Sequence, residues 1–120
     1  MIRVLVTDDS SWMRKFVKDT IAQCGCETVA EATNGEEAVK LYQELLPDLV
    51  TMDLTMPVMD GLTALRKIRS IDPSAMIMVC SSMGQEDTVK EAIAAGAVDY
   101  IIKPFPPERL IQAIEKLRVR

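Results

Sequence analysis

Three aspartates, a serine and a lysine stand where short apolar runs of the chain end. Asp8-Asp9 follow Ile2–Thr7, Asp53 follows Asp48–Met52, Ser81-Ser82 follow Ala75–Cys80, and Lys103-Pro104 follow Val98–Ile102. Singly, an Asp or Ser in such a place is an ordinary helix cap. Brought to one place, the five describe a definite chemistry. Two carboxylates about 4 Å apart repel by ~4 kcal/mol at an effective dielectric of 20, so three that are ionised together require a cation. Donors of oxygen alone favour Mg²⁺, a hard ion that keeps several waters and bridges carboxylate to phosphate, with Mn²⁺ as its substitute. A carboxylate beside such an ion can attack a phosphoryl group while an ammonium balances the charge on the transferring oxygens. Asp53, central among the three, is the expected nucleophile. Asp8 and Asp9 are expected to hold the metal, and Lys103 and Ser81 to contact phosphoryl oxygens.

Composition removes several competing chemistries. The chain has no histidine, which excludes triads, imidazole bases and common zinc sets. Cys24, Cys26 and Cys80 lack metal-ligand spacing and are expected to be reduced packing residues. With 14 Lys and Arg against 18 Asp and Glu, a net charge of −4 and no basic run, direct nucleic-acid binding is disfavoured. Asp8 arrives before any signal-peptide core could form, and no apolar stretch approaches the ~20 residues of a membrane span. A cytoplasmic protein without membrane contact is expected. The 120 residues, 48% of them apolar, suit one domain over 1–120 with its own core.

The elements that must position these residues follow from two alternating rhythms. The four runs named above and a fifth, Glu27–Ala32, are short and rich in β-branched or apolar residues, which predicts five strands. Between them apolar residues recur at helical spacing: Met13, Phe16, Val17, Ile21 and Cys24; Ala38, Leu41, Tyr42 and Leu45; Leu62, Leu65 and Ile68; Val89, Ala92 and Ile93; Leu110, Ala113, Ile114 and Leu117. Ser10 and Asn34 can cap helix starts, Gly25 and Gly96 can end helices, and Pro47 and Pro73 follow helix ends. A (βα)5 order with strands this apolar predicts a doubly wound α/β fold of flavodoxin-like type, with a five-stranded parallel sheet in the order 2-1-3-4-5. Its switch point lies between strands 1 and 3, and all the strand-end residues share that carboxyl edge.

Four segments bear a specific resemblance. Val6-Thr7-Asp8-Asp9-Ser10, Met52-Asp53-Leu54-Thr55-Met56-Pro57-Val58-Met59-Asp60-Gly61, Cys80-Ser81-Ser82-Met83-Gly84, and Ala95-Gly96-Ala97-Val98-Asp99-Tyr100 running into Lys103-Pro104-Phe105 together resemble the CheY-like receiver domain of two-component response regulators. The resemblance covers Ile2 to about Leu117. It implies that Asp53 accepts phosphate from a histidine kinase, that Asp9, Asp53 and the Thr55 carbonyl ligate Mg²⁺ with Asp8 acting through water, that Ser81 is a switch hydroxyl and Tyr100 a switch aromatic, and that Lys103-Pro104 is cis. The expected output is binding rather than turnover of an external substrate, so the protein is a switch and not an enzyme. Chemotaxis regulators are the most similar type, which implies a chemotaxis kinase, a monomer that binds the flagellar motor switch when phosphorylated, and a phosphatase that resets it. A receiver belonging to a longer regulator, a chemotaxis methylesterase or a DNA-binding protein, is the alternative. An aspartyl-phosphate hydrolase would usually carry Asp-x-Asp on the nucleophile strand, and a flavodoxin-like electron carrier would need a phosphate loop where Asp8-Asp9 stand. Trp12, one residue off the apolar face of its helix, is expected to be a partly exposed ring. Met52, Met56, Met59 and Met83 are expected to fill the core around the site.

Overall fold

A computed structural model describes residues 1–118 of the chain. Five strands alternate with five helices: β1 (Arg3–Thr7), α1 (Ser11–Ala22), β2 (Glu27–Ala32), α2 (Gly35–Leu45), β3 (Leu49–Asp53), α3 (Gly61–Ile71), β4 (Ile77–Ser82), α4 (Glu86–Ala94), β5 (Asp99–Lys103) and α5 (Pro107–Arg118). The strands form one parallel sheet in the order β2-β1-β3-β4-β5, as the alternating pattern predicts.

Side chains alternate across each strand, so the sheet separates two apolar clusters. Leu5, Val50, Met52, Ile77 and Val79 face α2, α3 and α4, packing with Ala38, Tyr42, Leu65, Ile68 and Val89. Val4, Val6, Leu49, Met78 and Ile101 face the other way and meet Val17 and Ile21 of α1 and Leu110 and Ile114 of α5. The inner strands are buried on both faces, while β2 and β5 at the edges are half exposed.

Three strands run further toward the carboxyl edge than their apolar runs indicate. Expected limits of Asp48–Met52, Ala75–Cys80 and Val98–Ile102 become Leu49–Asp53, Ile77–Ser82 and Asp99–Lys103. The ladder explains the extension, because Asp53 pairs with Cys80 and Ser82 with Lys103 in register. Polar residues at strand ends keep their hydrogen-bonding partners even after the apolar pattern has stopped.

Helix ends follow the sequence signals. The side chains of Ser10 and Asn34 accept from Met13 N–H and Glu37 N–H, and Asp60 does the same for Thr63 N–H at the start of α3. Gly25 (φ 74°) and Gly96 (φ 112°) take the left-handed position after α1 and α4. In both cases the amide beyond the glycine bonds back into the last helical turn, Cys26 N–H to Ile21 and Ala97 N–H to Ala92. Pro107 opens α5, where its missing N–H is of no consequence. Ile93 departs from expectation: it is half exposed on α4, off the face that Val89 and Ala92 bury. The three cysteines are free thiols, and Cys26 and Cys80 are buried packing residues as expected.

Candidate functional site

The carboxyl edge brings Asp8, Asp9, Asp53 and Lys103 together. Carboxylate oxygens of the three aspartates lie within 4.8 Å of one another. Lys103 Nζ stands between two of them, 2.8 Å from Asp8 Oδ2 and 3.3 Å from Asp53 Oδ2. Asp8 and Asp53 are only 4% and 7% exposed, whereas Asp9 is open to solvent.

Each side chain is held by its own element. Asp8 Oδ1 accepts from the Ser10 N–H at 2.9 Å, so the residue that follows β1 also shapes the turn into α1. Arg14, one turn into that helix, donates to the Asp8 carbonyl at 2.8 Å and to Glu31 of β2 at 3.0 Å. Asp53 closes β3, and the Thr55 N–H points at its Oδ1 from 3.4 Å, a long contact. Behind Asp53 lies Gly61, the first residue of α3. A Cβ there would come within 2.1 Å of the Asp53 carbonyl oxygen, so only glycine lets α3 approach the turn this closely. The Lys103-Pro104 peptide is cis, as the resemblance implies.

The electrostatics follow from this packing. Burial pushes the Asp53 carboxyl above its ordinary range; Lys103 opposes that shift and the neighbouring Asp8 adds to it. Burial lowers the Lys103 ammonium, but its hydrogen bond to Asp8 and the charges of Asp53 and Asp8 outweigh burial and leave it raised. One ammonium thus faces three acids. An all-oxygen donor set carrying that surplus of negative charge fits a small hard cation such as Mg²⁺ and does not fit a thiophilic one.

Ser81 and Tyr100 stand apart from the cluster. Ser81 is fully buried at the end of β4, and its Oγ has no hydrogen-bond partner among the described residues. Tyr100 is 40% exposed on β5; it lines a groove of about 440 Å³ with Ile93 and Ile102, and its carbonyl accepts from Arg109 at 2.8 Å. Thr55 is exposed, and Gln85 donates to its hydroxyl at 2.7 Å. The methionines divide. Met52 and Met56 are buried and Met59 packs against the same cluster, but Met83 is 79% exposed and lines the groove instead of the core. Met83 sits in a loop with no sheet to cover it. Trp12 is exposed, and its ring lies parallel to that of Phe16 with centroids 5.8 Å apart.

Arg14 is not singled out by the sequence, and Gly61 and Gln85 stand in or beside segments that carry the resemblance without a role of their own. Arg14 could have been found from its place four residues after the cap Ser10, which turns it toward the strand edge. Gln85 carried no such signal, since its partners are 3 and 30 residues away.

Comparison with known proteins agrees with this geometry. Residues 4–115 match the response regulator receiver domain. The chain belongs to that family. As a receiver it is 55% identical to the chemotaxis protein CheY of Thermotoga maritima over 96% of both chains. It is 54% identical to CheY of Bacillus subtilis over 95% of both. Among solved structures, a chain of the CheX-CheY-BeF3-Mg²⁺ complex from Borrelia burgdorferi superposes with a TM-score of 0.94 at 34% identity, covering 99% of this receiver and 90% of that chain. The response regulator domain of Thermotoga maritima CheB superposes with a TM-score of 0.86 at 38% identity, covering 98% and 94%. No helix among the described residues is long and apolar enough to cross a membrane.

Proposed function

We propose that this receiver is a chemotaxis switch of the CheY type, in which Asp53 takes a phosphoryl group from a histidine kinase and the phosphorylated form binds the flagellar motor switch until a phosphatase resets it. The observation that carries this reading is the buried Asp53 carboxylate, set in a cluster of three acids with Lys103 Nζ 3.3 Å away. Identity of 50–55% to several CheY proteins supports the chemotaxis assignment. The switch acts as a monomer in the cytoplasm, and the only chemistry it performs is on its own phosphoryl group.

Asp9, Asp53 and the Thr55 carbonyl would hold Mg²⁺, with Asp8 reaching it through water. When bound, the ion supplies positive charge where the carboxylate and phosphoryl oxygens would otherwise repel. Asp53 attacks phosphorus through one carboxylate oxygen, the bond from phosphorus to the kinase histidine breaks, and the electron pair leaves with the imidazole. Lys103 is placed to pair with a phosphoryl oxygen as its contact with Asp53 loosens. Ser81, whose hydroxyl is buried without a partner among the described residues, gains one by donating to a second phosphoryl oxygen. That inward movement opens space beside β5 for the Tyr100 ring and reshapes the face of α4, β5 and α5.

Intact mass after incubation with acetyl phosphate and Mg²⁺ tests the reading. The wild-type chain should gain one phosphoryl group, and chelation of Mg²⁺ should abolish the gain. Labelling of Asp53→Asn to the wild-type extent would place the acceptor elsewhere. Ser81→Ala should still label yet lose most of its phosphorylation-dependent partner affinity; full retention would uncouple Ser81 from the output.

A further inference from the structure

Gln85 occupies the cap position before α4 (φ −108°, ψ 28°), yet its side chain makes no bond to that helix. Its amide bonds instead to the end of β4 and to the loop beyond β3. Oε1 accepts from the Ser82 N–H at 2.7 Å, and Nε2 donates to Thr55 Oγ1 at 2.7 Å. Ser82 follows Ser81 directly, and Thr55 lies two residues after Asp53. One amide therefore ties the end of β4 to the loop beyond β3, two residues from Asp53.

The loop beyond β4 contains the means to move. Gly84, between the two tied residues, has φ 93° and open space where a side chain would be. Meanwhile the Ser81 hydroxyl is fully buried with no partner among the described residues. A buried polar atom without a partner is unfavourable, and such an arrangement persists only where its surroundings hold it. Pairing of Ser81 with Ile102 of β5 holds it from one side. The Gln85 bond to the next amide holds it from the other.

We propose that Gln85 is a positioning residue, an amide latch that keeps the loop beyond β4 in the arrangement where Ser81 has no partner, and that must release when Ser81 turns to a phosphoryl oxygen. The inference rests on the reading of Asp53 as the phosphoacceptor. It gives the switch a resting-state restraint whose strength is set by a residue outside the acidic cluster. Loss of the latch lowers the resistance to switching, so a phosphoryl mimic binds more tightly to the variant than to the wild type.

The test compares wild type, Gln85→Ala, Thr55→Val and the double variant, each titrated with beryllofluoride in excess Mg²⁺ and followed by amide hydrogen exchange. Gln85→Ala should bind the mimic about fivefold more tightly, at the lower end of ordinary coupling between sites. Before the mimic is added, exchange at Ser82 should accelerate while the amides of β1 and β3 stay protected. Adding Gln85→Ala to Thr55→Val should tighten binding by less than it does in the wild type, because half of the latch is already gone. A merely structural role would lower the urea midpoint and leave mimic affinity unchanged or weaker, and that result overturns the latch. Absence of mimic binding by the wild type overturns the phosphoacceptor reading and the latch's role together. Binding by the wild type with unchanged affinity in Gln85→Ala overturns the latch alone.

Discussion

Replacing Gly61 by Ala tests whether the placement of Asp53 depends on how closely α3 approaches β3. A Cβ at residue 61 would lie 2.1 Å from the Asp53 carbonyl oxygen and 2.8 Å from Leu54 Cα, against an ordinary contact beginning near 3.4 Å. The start of α3 and the end of β3 must then separate by about 1.3 Å, and both sides of the clash are backbone. The Gly61 N–H bond to the Leu54 carbonyl, 3.1 Å, joins the same two segments and is strained by their separation. Forced overpacking of this kind costs about 1–3 kcal/mol, which lowers the urea midpoint by roughly 1 M at an ordinary dependence on denaturant. A domain of ordinary stability, about 5–15 kcal/mol, remains folded after such a loss. The rate of phosphorylation should fall much further, since a displacement of about 1 Å in a reacting group costs roughly a hundredfold. The assay follows intact mass against time with acetyl phosphate and Mg²⁺, at a temperature where circular dichroism shows the variant fully folded. An unchanged urea midpoint with a wild-type rate would refute the argument, because the contact would then be absent in solution.

The Tyr42 hydroxyl donates to Asp72 Oδ2 at 2.6 Å, and this bond is the first cause holding the Asp72 carboxyl below its usual range. A lowered carboxyl contributes stability above its unfolded pKa and loses it as pH falls through the folded value, so Tyr42→Phe should be less stable than wild type at pH 7, with the gap closing below about pH 4; a gap of constant size down to pH 3 in thermal melts would contradict this. Val58 is a β-branched residue at φ 67°, bridged by the Met59 N–H to the Pro57 carbonyl at 2.7 Å. That bond makes Val58 the centre of a strained γ-turn, and Val58→Gly should raise stability by about 1 kcal/mol in urea titrations. Hydrolysis of the phosphorylated form needs a water in line with the bond to Asp53, and neither Thr55 nor the exposed Met83 carries an amide or carboxylate to orient one. Thr55→Asn with Met83→Glu should shorten the half-life by about tenfold, a modest share of what a positioned base supplies, and equal or slower loss of radiolabel in excess Mg²⁺ would count against it.

Strand order and the site's acids were legible because one rule generates both. Strands buried on two faces must be apolar throughout, so the polar residue that ends each run marks the sheet edge, and the parallel order collects those residues together. Where the rule is silent, the reading fell short. Strand limits shifted toward the site because Asp53, Ser82 and Lys103 belong to the ladder without being apolar. Ile93 looked like a core residue by spacing, yet α4 has only one neighbour face to bury against beside the edge strand β5. Met83 was misread for a related reason, since an apolar side chain in a loop has no sheet above it. Gln85 and Gly61 act through backbone and loop contacts whose partners no local pattern identifies.

The ion pair between Lys103 and Asp8 joins residues 95 positions apart, and Asp53 lies midway between them along the chain. During synthesis, then, the emerging polypeptide can build β1 and β3 and still present three uncompensated acids, because their counter-charge arrives on the last strand. A nascent chain that ends before β5 lacks the lysine that pairs with Asp8 and Asp53, however well its earlier elements have formed. The acidic site is in this sense completed only by the last strand of the sheet. Among the described residues, β2 at the far edge of the sheet contributes no acid, hydroxyl or lysine to the site.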